Sequence, residues 1–257
     1  MLIWEDKLSL PFYFMKIPKV RFISSAKRDF DTLLAFVKDA KYDQGRNLEW
    51  AIFKKYPKLK IFFDHQQQIK DKKALKSFVA GAYQKNQKQM RVDLNEHAKR
   101  WKNVAPQFFV LVSKLFTDRV WPRGKYVAYG TIWGMYPRFL ENKTFQIPYQ
   151  HRFPNYIPVV IAHEMLHFMF YDYFYQRYPK YNKPEKNFFV WHISEIFNTL
   201  IQNSPEWLRY FKRKSMGYPE HEKIVKKLGR GWYRKNTWDL DGVVSQIVKE
   251  VQASKLD

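Results

Sequence analysis

Apolar positions in the first half of the chain recur at helical spacing. After Ser25, the segment AKRDFDTLLAFVKDA sets Phe30, Leu33, Leu34 and Val37 on one face, with Ser25 placed to cap it. A second helix is expected from Asn47 to about Pro57, and the mostly polar stretch from Asp71 to Asn103 carries its apolar residues at the same period. Pro106 has no amide hydrogen, so it is expected to end that helix or to open the next, PQFFVLVSKLF. No strand signal is strong between Ser25 and Asn103.

Beyond Pro106 the pattern changes. KYVAYGTIWGMYPRF and TFQIPY are rich in β-branched and aromatic residues, with ENK between them as a turn, and predict two or three strands. Asn155 and Pro158 open a helix that is apolar over most of its surface, VVIAHEMLHFMFYDYF. A loop rich in Tyr, Pro and Lys leads to a second apolar helix, FFVWHISEIFNTLI, and two or three short helices separated by Gly217, Pro219, Gly229 and Gly231 complete the chain. This order predicts an α+β fold in three parts: an N-terminal helical region over 1–104, a core with a small mixed sheet over 105–204, and a C-terminal helical segment over 205–257 packed on that core.

At 257 residues and 46% hydrophobic composition the chain can bury a full core without staples. No run of eighteen apolar residues occurs, so no membrane span is expected. The N-terminal MLIWEDKLSLPFYF carries acids where a secretion signal carries cations, and Pro11 interrupts its apolar stretch, so the expected location is cytoplasmic. With no cysteine in the chain, any metal must be held by His, Asp or Glu.

Lysine and arginine outnumber acids 46 to 24, a formal charge of +22, which gives a positive surface suited to nucleic acid or another polyanion. A composition rich in Lys, Phe, Tyr, Asn and Ile produces the same excess with no partner. Between Leu208 and Trp238 basic residues alternate with Tyr210, Phe211, Tyr218, Trp232 and Tyr233, a mixture that suits single strands but also an ordinary solvated surface.

The chemistry concentrates in HEMLH, His163 to His167. Residues four apart on a helix stand one above the other, so both imidazoles can reach one ion, while Glu164, about 100° around, can reach a water beside it. Chance produces this pattern in roughly one chain in a hundred of such composition. Two histidines and a glutamate on an apolar helix are costly to bury without a partner, and a divalent metal is such a partner. In FFVWHISEIFNTLI the apolar face is Phe189, Ile193, Ile196, Phe197 and Leu200, whereas Phe188, His192, Glu195 and Thr199 share another, so His192 and Glu195 are both candidates for a third ligand.

The pattern resembles the zincin metallopeptidases, most closely the gluzincin clan of thermolysin-like and minimal gluzincin proteins, over roughly Pro106 to Ser204. The resemblance implies one catalytic Zn2+ held by His163, His167 and Glu195, with the third ligand drawn from a later helix. Gluzincins often place an acid four residues after that glutamate to orient a histidine; here Thr199 stands there with Asn198 beside it, both candidates for that role. The Spartan-type proteases, which digest DNA-crosslinked proteins, also carry H-E-M-x-H but use a histidine as third ligand. That would be His192, although Ile193 follows it where that family usually has glycine. The longer metzincin motif is excluded by Tyr173.

The resemblance further implies peptide hydrolysis with Glu164 as general base, and an oxyanion donor for which His192, Tyr136, Tyr171 and Tyr210 are candidates. A peptide substrate would add itself to an edge strand, here expected along IWGMYPRF, with Trp133, Gly134 and Met135 at the contact and TFQIPY as the neighbouring strand. The competing class is a non-enzymatic nucleic-acid-binding protein whose zinc is structural or whose core is inert.

Overall fold

A computed structural model describes residues 17–38, 49–117, 119–234 and 239–256. The N-terminal segment MLIWEDKLSLPFYF and the cap expected at Asn47 lie outside them. The first helix, α1 (Ala26–Lys38), begins after Ser25, whose Oγ accepts from Arg28 N at 3.2 Å, and it buries Phe30 and Leu33. In place of the second expected helix stand a short π-turn, Glu49–Phe53, and a 3-10 turn, Pro57–Phe62.

The longest element is α2 (Lys72–Leu115), capped by Asp71, whose side chain accepts from Ala74 N at 2.8 Å. It continues through Pro106, which corrects the expected break. Pro106 and Lys102, the residue whose carbonyl loses its partner, are both exposed, so solvent can serve the freed oxygen.

The described strands β1 (Val20–Ser24), β2 (Tyr126–Thr131), β3 (Arg138–Phe139) and β4 (Thr144–Pro148) form one sheet in the order β1-β2-β4-β3. The β1–β2 and β2–β4 pairings are parallel, while β3 returns antiparallel onto β4 through the ENK turn, where Lys143 adopts φ 53°. Parallel neighbours need a long crossover, and α1 and α2 supply it between β1 and β2. A strand from the stretch read as helical is therefore part of the sheet.

Among the described residues five further helices follow: α3 (Ile157–Arg177), α4 (Asn187–Gln202), α5 (Pro205–Phe211), α6 (Glu222–Trp232) and α7 (Leu240–Ala253). Gly229 and Gly231 lie inside α6 and do not separate helices; a Cβ on Gly229 would sit 2.9 Å from the Tyr233 ring, so this glycine makes room for it. The main core joins α3, α4 and α7 to the sheet and the C-terminal half of α2, and a second core gathers α1, the turn at Glu49–Phe53 and the N-terminal half of α2. Among the described residues no helix is long and apolar enough to cross a membrane.

The expected substrate strand is corrected in part. Trp133, Gly134 and Met135 lie in the loop after β2, and Trp133 and Met135 are buried in the second core. The amide of Gly134 donates to Ala51 O at 2.8 Å, and a Cβ there would lie 3.0 Å from that oxygen. This backbone is already bonded and serves packing. The sheet edge on that side is Arg138–Phe139.

Candidate metal centre

The centre lies where α3 passes α4 inside the main core. Pro158 stands in the first turn of α3, and Asn155, expected to open the helix, instead accepts from Arg100 Nη1 at 2.6 Å. From Ile157 to Phe174 nearly every side chain of α3 is buried, so apolar burial on all sides holds the helix and fixes the direction of its polar residues. On α4, His192, Ser194, Glu195, Asn198, Thr199 and Gln202 are likewise buried.

Donor atoms of His163, Glu164 and His167 lie within 4.8 Å of one another and can hold a metal ion. From α4, Glu195 reaches both imidazoles: its Oε2 is 3.0 Å from His163 Nε2 and its Oε1 is 3.3 Å from His167 Nε2. On its far side, His163 Nδ1 lies 2.9 Å from Gln202 Oε1, and Gln202 Nε2 donates to Val159 O at 3.0 Å. That second bond fixes the amide so that its oxygen faces the ring. His163 Nδ1 must then carry a hydrogen, which leaves Nε2 of the neutral ring with a lone pair aimed at a carboxylate oxygen. The contact is favourable only with a cation between them, either a proton or a metal ion.

His167 gives the sharper signal. It is fully buried, its Nδ1 has no hydrogen-bond partner among the described residues, and its Nε2 has only the 3.3 Å approach of Glu195 Oε1, outside good hydrogen-bond geometry. Glu164 Oε2 is buried and unpartnered as well. Buried polar atoms are nearly always bonded, so several orphans within one small volume call for a ligand.

Arg138, from the edge strand, closes the other side. Its Nη1 donates to Glu195 Oε1 at 3.0 Å, and its Nη2 to Tyr171 Oη at 2.9 Å and Ser194 Oγ at 3.3 Å. Burial would raise the Glu195 carboxyl, but His167 and His163 outweigh it and hold the group well below its ordinary range. For His163, burial acts to lower the pKa and the Glu195 carboxylate overcomes it, so the net direction is upward. His167 goes well down, through burial first and Arg138 next, against the pull of Glu195. Burial pushes Glu164 up to about 7, against the pull of His163 and Arg138.

The structure thus brings His163, Glu164, His167 and Glu195 together. His192 turns elsewhere: its Nδ1 lies 2.7 Å from His221 Nε2, in a cage with Phe188 and Trp191. The expected orienting residues are corrected. Asn198 Nδ2 donates to the backbone oxygen of His163 at 3.0 Å, not to the imidazole, and the Thr199 hydroxyl has no hydrogen-bond partner among the described residues. Gln202, one turn beyond Asn198, orients the ring. Tyr171 is tied to Arg138 and to Ser194 Oγ, Tyr136 is pushed up to about 12 by burial, and Tyr210 is 42% exposed on α5. The Tyr171 ring lies beside His167, centroids 6.1 Å apart, but the hydrogen bonds of its hydroxyl go to Arg138 and Ser194.

Sequence reasoning missed Arg138, Gln202, His221 and Tyr218. Tyr218 packs its ring against Trp191 and His221 while staying 43% exposed as a residue, and desolvation of its hydroxyl followed by the charge of Glu195 drives that group's pKa upward. The available signal was GYPEH, a Tyr and a His three apart in the otherwise charged loop before α6. Comparison with protein families, characterised proteins and solved structures returns no significant match.

Proposed function

We propose that the chain is a zinc-dependent metalloendopeptidase of the zincin type, with His163, His167 and Glu195 as metal ligands and Glu164 as general base. One observation carries the reading: two imidazole nitrogens four residues apart on α3 converge on a single α4 carboxylate at 3.0 and 3.3 Å, with an unpartnered buried carboxyl beside them.

The residues fit the ion. Two imidazoles and one carboxylate match a catalytic zinc set, which keeps a further position open, and burial shifts His167 toward the neutral form that binds metal. Bound there, zinc supplies Lewis acidity to a peptide carbonyl and to water. Glu164, whose pKa of about 7 suits exchange at neutral pH, takes a proton from the attacking water and delivers it to the leaving amine. Gln202 holds the His163 ring in the binding tautomer. Arg138 donates to Oε1 of Glu195 and so fixes the orientation of that carboxylate. The hydroxyl of Tyr218 is the donor this reading assigns to the developing oxyanion. With His192 engaged by His221, a Spartan-type ligand set has less support than Glu195.

The test is hydrolysis of an unstructured protein such as casein by zinc-loaded protein. Glu164→Gln is expected to retain one zinc per chain by elemental analysis and to lose activity by about 100-fold or more. Undiminished cleavage by that variant, or purified wild type with no affinity for zinc, overturns the assignment.

A further inference from the structure

Helix α2 carries a feature that peptide hydrolysis does not use. Its Leu75, Val79, Met90, Leu94, His97 and Trp101 are buried. On the opposite side Lys73, Lys85, Lys88, Arg91, Lys99 and Lys102 fall within an arc of about 120°, and all six are exposed. Ser77, Gln84 and Asn95, also exposed, lie among them, and the stripe contains no carboxylate. Glu96, at its margin, is held by Lys99 at 2.7 Å, and Asp93, on the flank, accepts from Gln89 at 2.9 Å. Among the described residues no carboxylate pairs with Lys73, Lys85, Lys88, Arg91 or Lys102. The ridge runs about 43 Å from Lys73 to Lys102 on one continuous helix.

Its chemistry narrows the partner. An anionic membrane surface would be gripped better by a face with large apolar residues to insert, and Val92, 49% exposed, is the large apolar residue on this stripe. A single strand needs aromatic platforms; Tyr83 of this helix points away, its hydroxyl donating to Asp29 Oδ2 at 2.8 Å. Cations with amides and a hydroxyl between them, along one long helix, match the phosphate rows of a double helix, which demand charge and length and no base contact.

We infer that this face of α2 binds the backbone of double-helical nucleic acid without reading its sequence. The inference is independent of the metal centre, so Glu164→Gln leaves it intact.

Fluorescence anisotropy with a labelled DNA duplex of about 30 base pairs, titrated between roughly 50 and 250 mM KCl, tests it. Wild type is expected to bind with a slope of log K against log salt near about −5, from six cations. The variant Lys85→Gln, Lys88→Gln, Arg91→Gln, Lys102→Gln is expected to bind about 100-fold more weakly at 100 mM salt, with a slope reduced by about 3 to 4. A control removing equal charge from the C-terminal part, Lys212→Gln, Arg213→Gln, Lys214→Gln, Lys223→Gln, is expected to change affinity by less than about threefold. Circular dichroism on each confirms the fold. Equal losses in both variants would assign binding to net charge alone and overturn the inference. So would wild type that ignores the duplex, including the case in which it binds polyglutamate or anionic vesicles instead.

Discussion

The fold buries two carboxylates at the centres of polar networks, and the contrast between them shows what marks a site. Asp29, on α1, is fully buried and receives hydrogen bonds from Tyr83 Oη at 2.8 Å, Ile132 N at 2.9 Å and Gln146 Nε2 at 2.5 Å. Thr32 Oγ1 donates to Gln146 Oε1 and completes the set. Every atom of that hub meets a protein donor or acceptor, and it ties α1, α2, β4 and the loop after β2 together. Glu195 is as deeply buried, but two of the groups facing it are imidazole nitrogens, and the surrounding Glu164 Oε2 and both His167 nitrogens are unsatisfied. A closed network is architecture; one that leaves buried polar atoms unsatisfied is a candidate site.

The largest test of that difference is metal affinity. Replacing His167 or Glu195 with Ala removes one of three proposed ligands and is expected to weaken zinc binding by about 1,000-fold or more, roughly 4 kcal/mol. Asp29→Asn and His192→Ala are expected to leave it within a few fold. Competition against a chromogenic chelator reads all four variants. Retained affinity in Glu195→Ala together with loss in His192→Ala would transfer the third ligand to His192 and remove the gluzincin-like reading.

A smaller effect separates the hubs by pH. Burial pushes the Asp29 carboxyl from 3.8 up to about 6, although Ile132, Thr131 and Tyr83 all act to lower it. Between about pH 4 and pH 6 the unfolded chain has released this proton while the folded chain still holds it. Stability from this group therefore falls as pH rises through the window, by about 3 kcal/mol in all. Urea unfolding of wild type and Asp29→Asn, both with chelator present, should differ in pH dependence by that amount. Parallel stability curves would show that Asp29 titrates normally and that the closed hub imposes no cost on its charge.

The two regions also differ in how legible they were. His163, Glu164 and His167 could be placed together because helical periodicity fixes where residues four apart point, whereas on α4 the pattern left His192 and Glu195 both open and only the gluzincin resemblance favoured Glu195, the one that lies beside both imidazoles. Arg138 and Gln202 could not, since a two-residue strand and the last turn of α4 meet the site only through tertiary packing. The Asp29 hub left no trace, because its partners lie on α2, in the loop after β2 and on β4, at separations of 54 to 117 residues. The helix period of α2 was clear, but Pro106 masked its continuity, as periodicity does not report which face carries a proline. VRFIS went unread as a strand because five residues hold too little alternation to stand out, and its parallel partner begins more than a hundred residues later.

The finest distinction is whether Gln202 belongs to the site or to the core. Its amide joins Val159 O to His163 Nδ1, so it packs α4 against α3 and also selects the ring tautomer. Substitution by Ala removes both bonds, so a loss of stability alone would say nothing about the metal. Substitution by Glu keeps an acceptor against Nδ1, strengthens it with charge, and sacrifices only the bond to Val159. If Gln202 orients the ligand, Gln202→Ala should weaken zinc binding by about 10-fold, and Gln202→Glu should restore most of that loss despite being the less stable packing partner for Val159 O. If Gln202 is only packing, the two variants should bind zinc equally, and in that case His163 would select its metal-binding tautomer without help from α4.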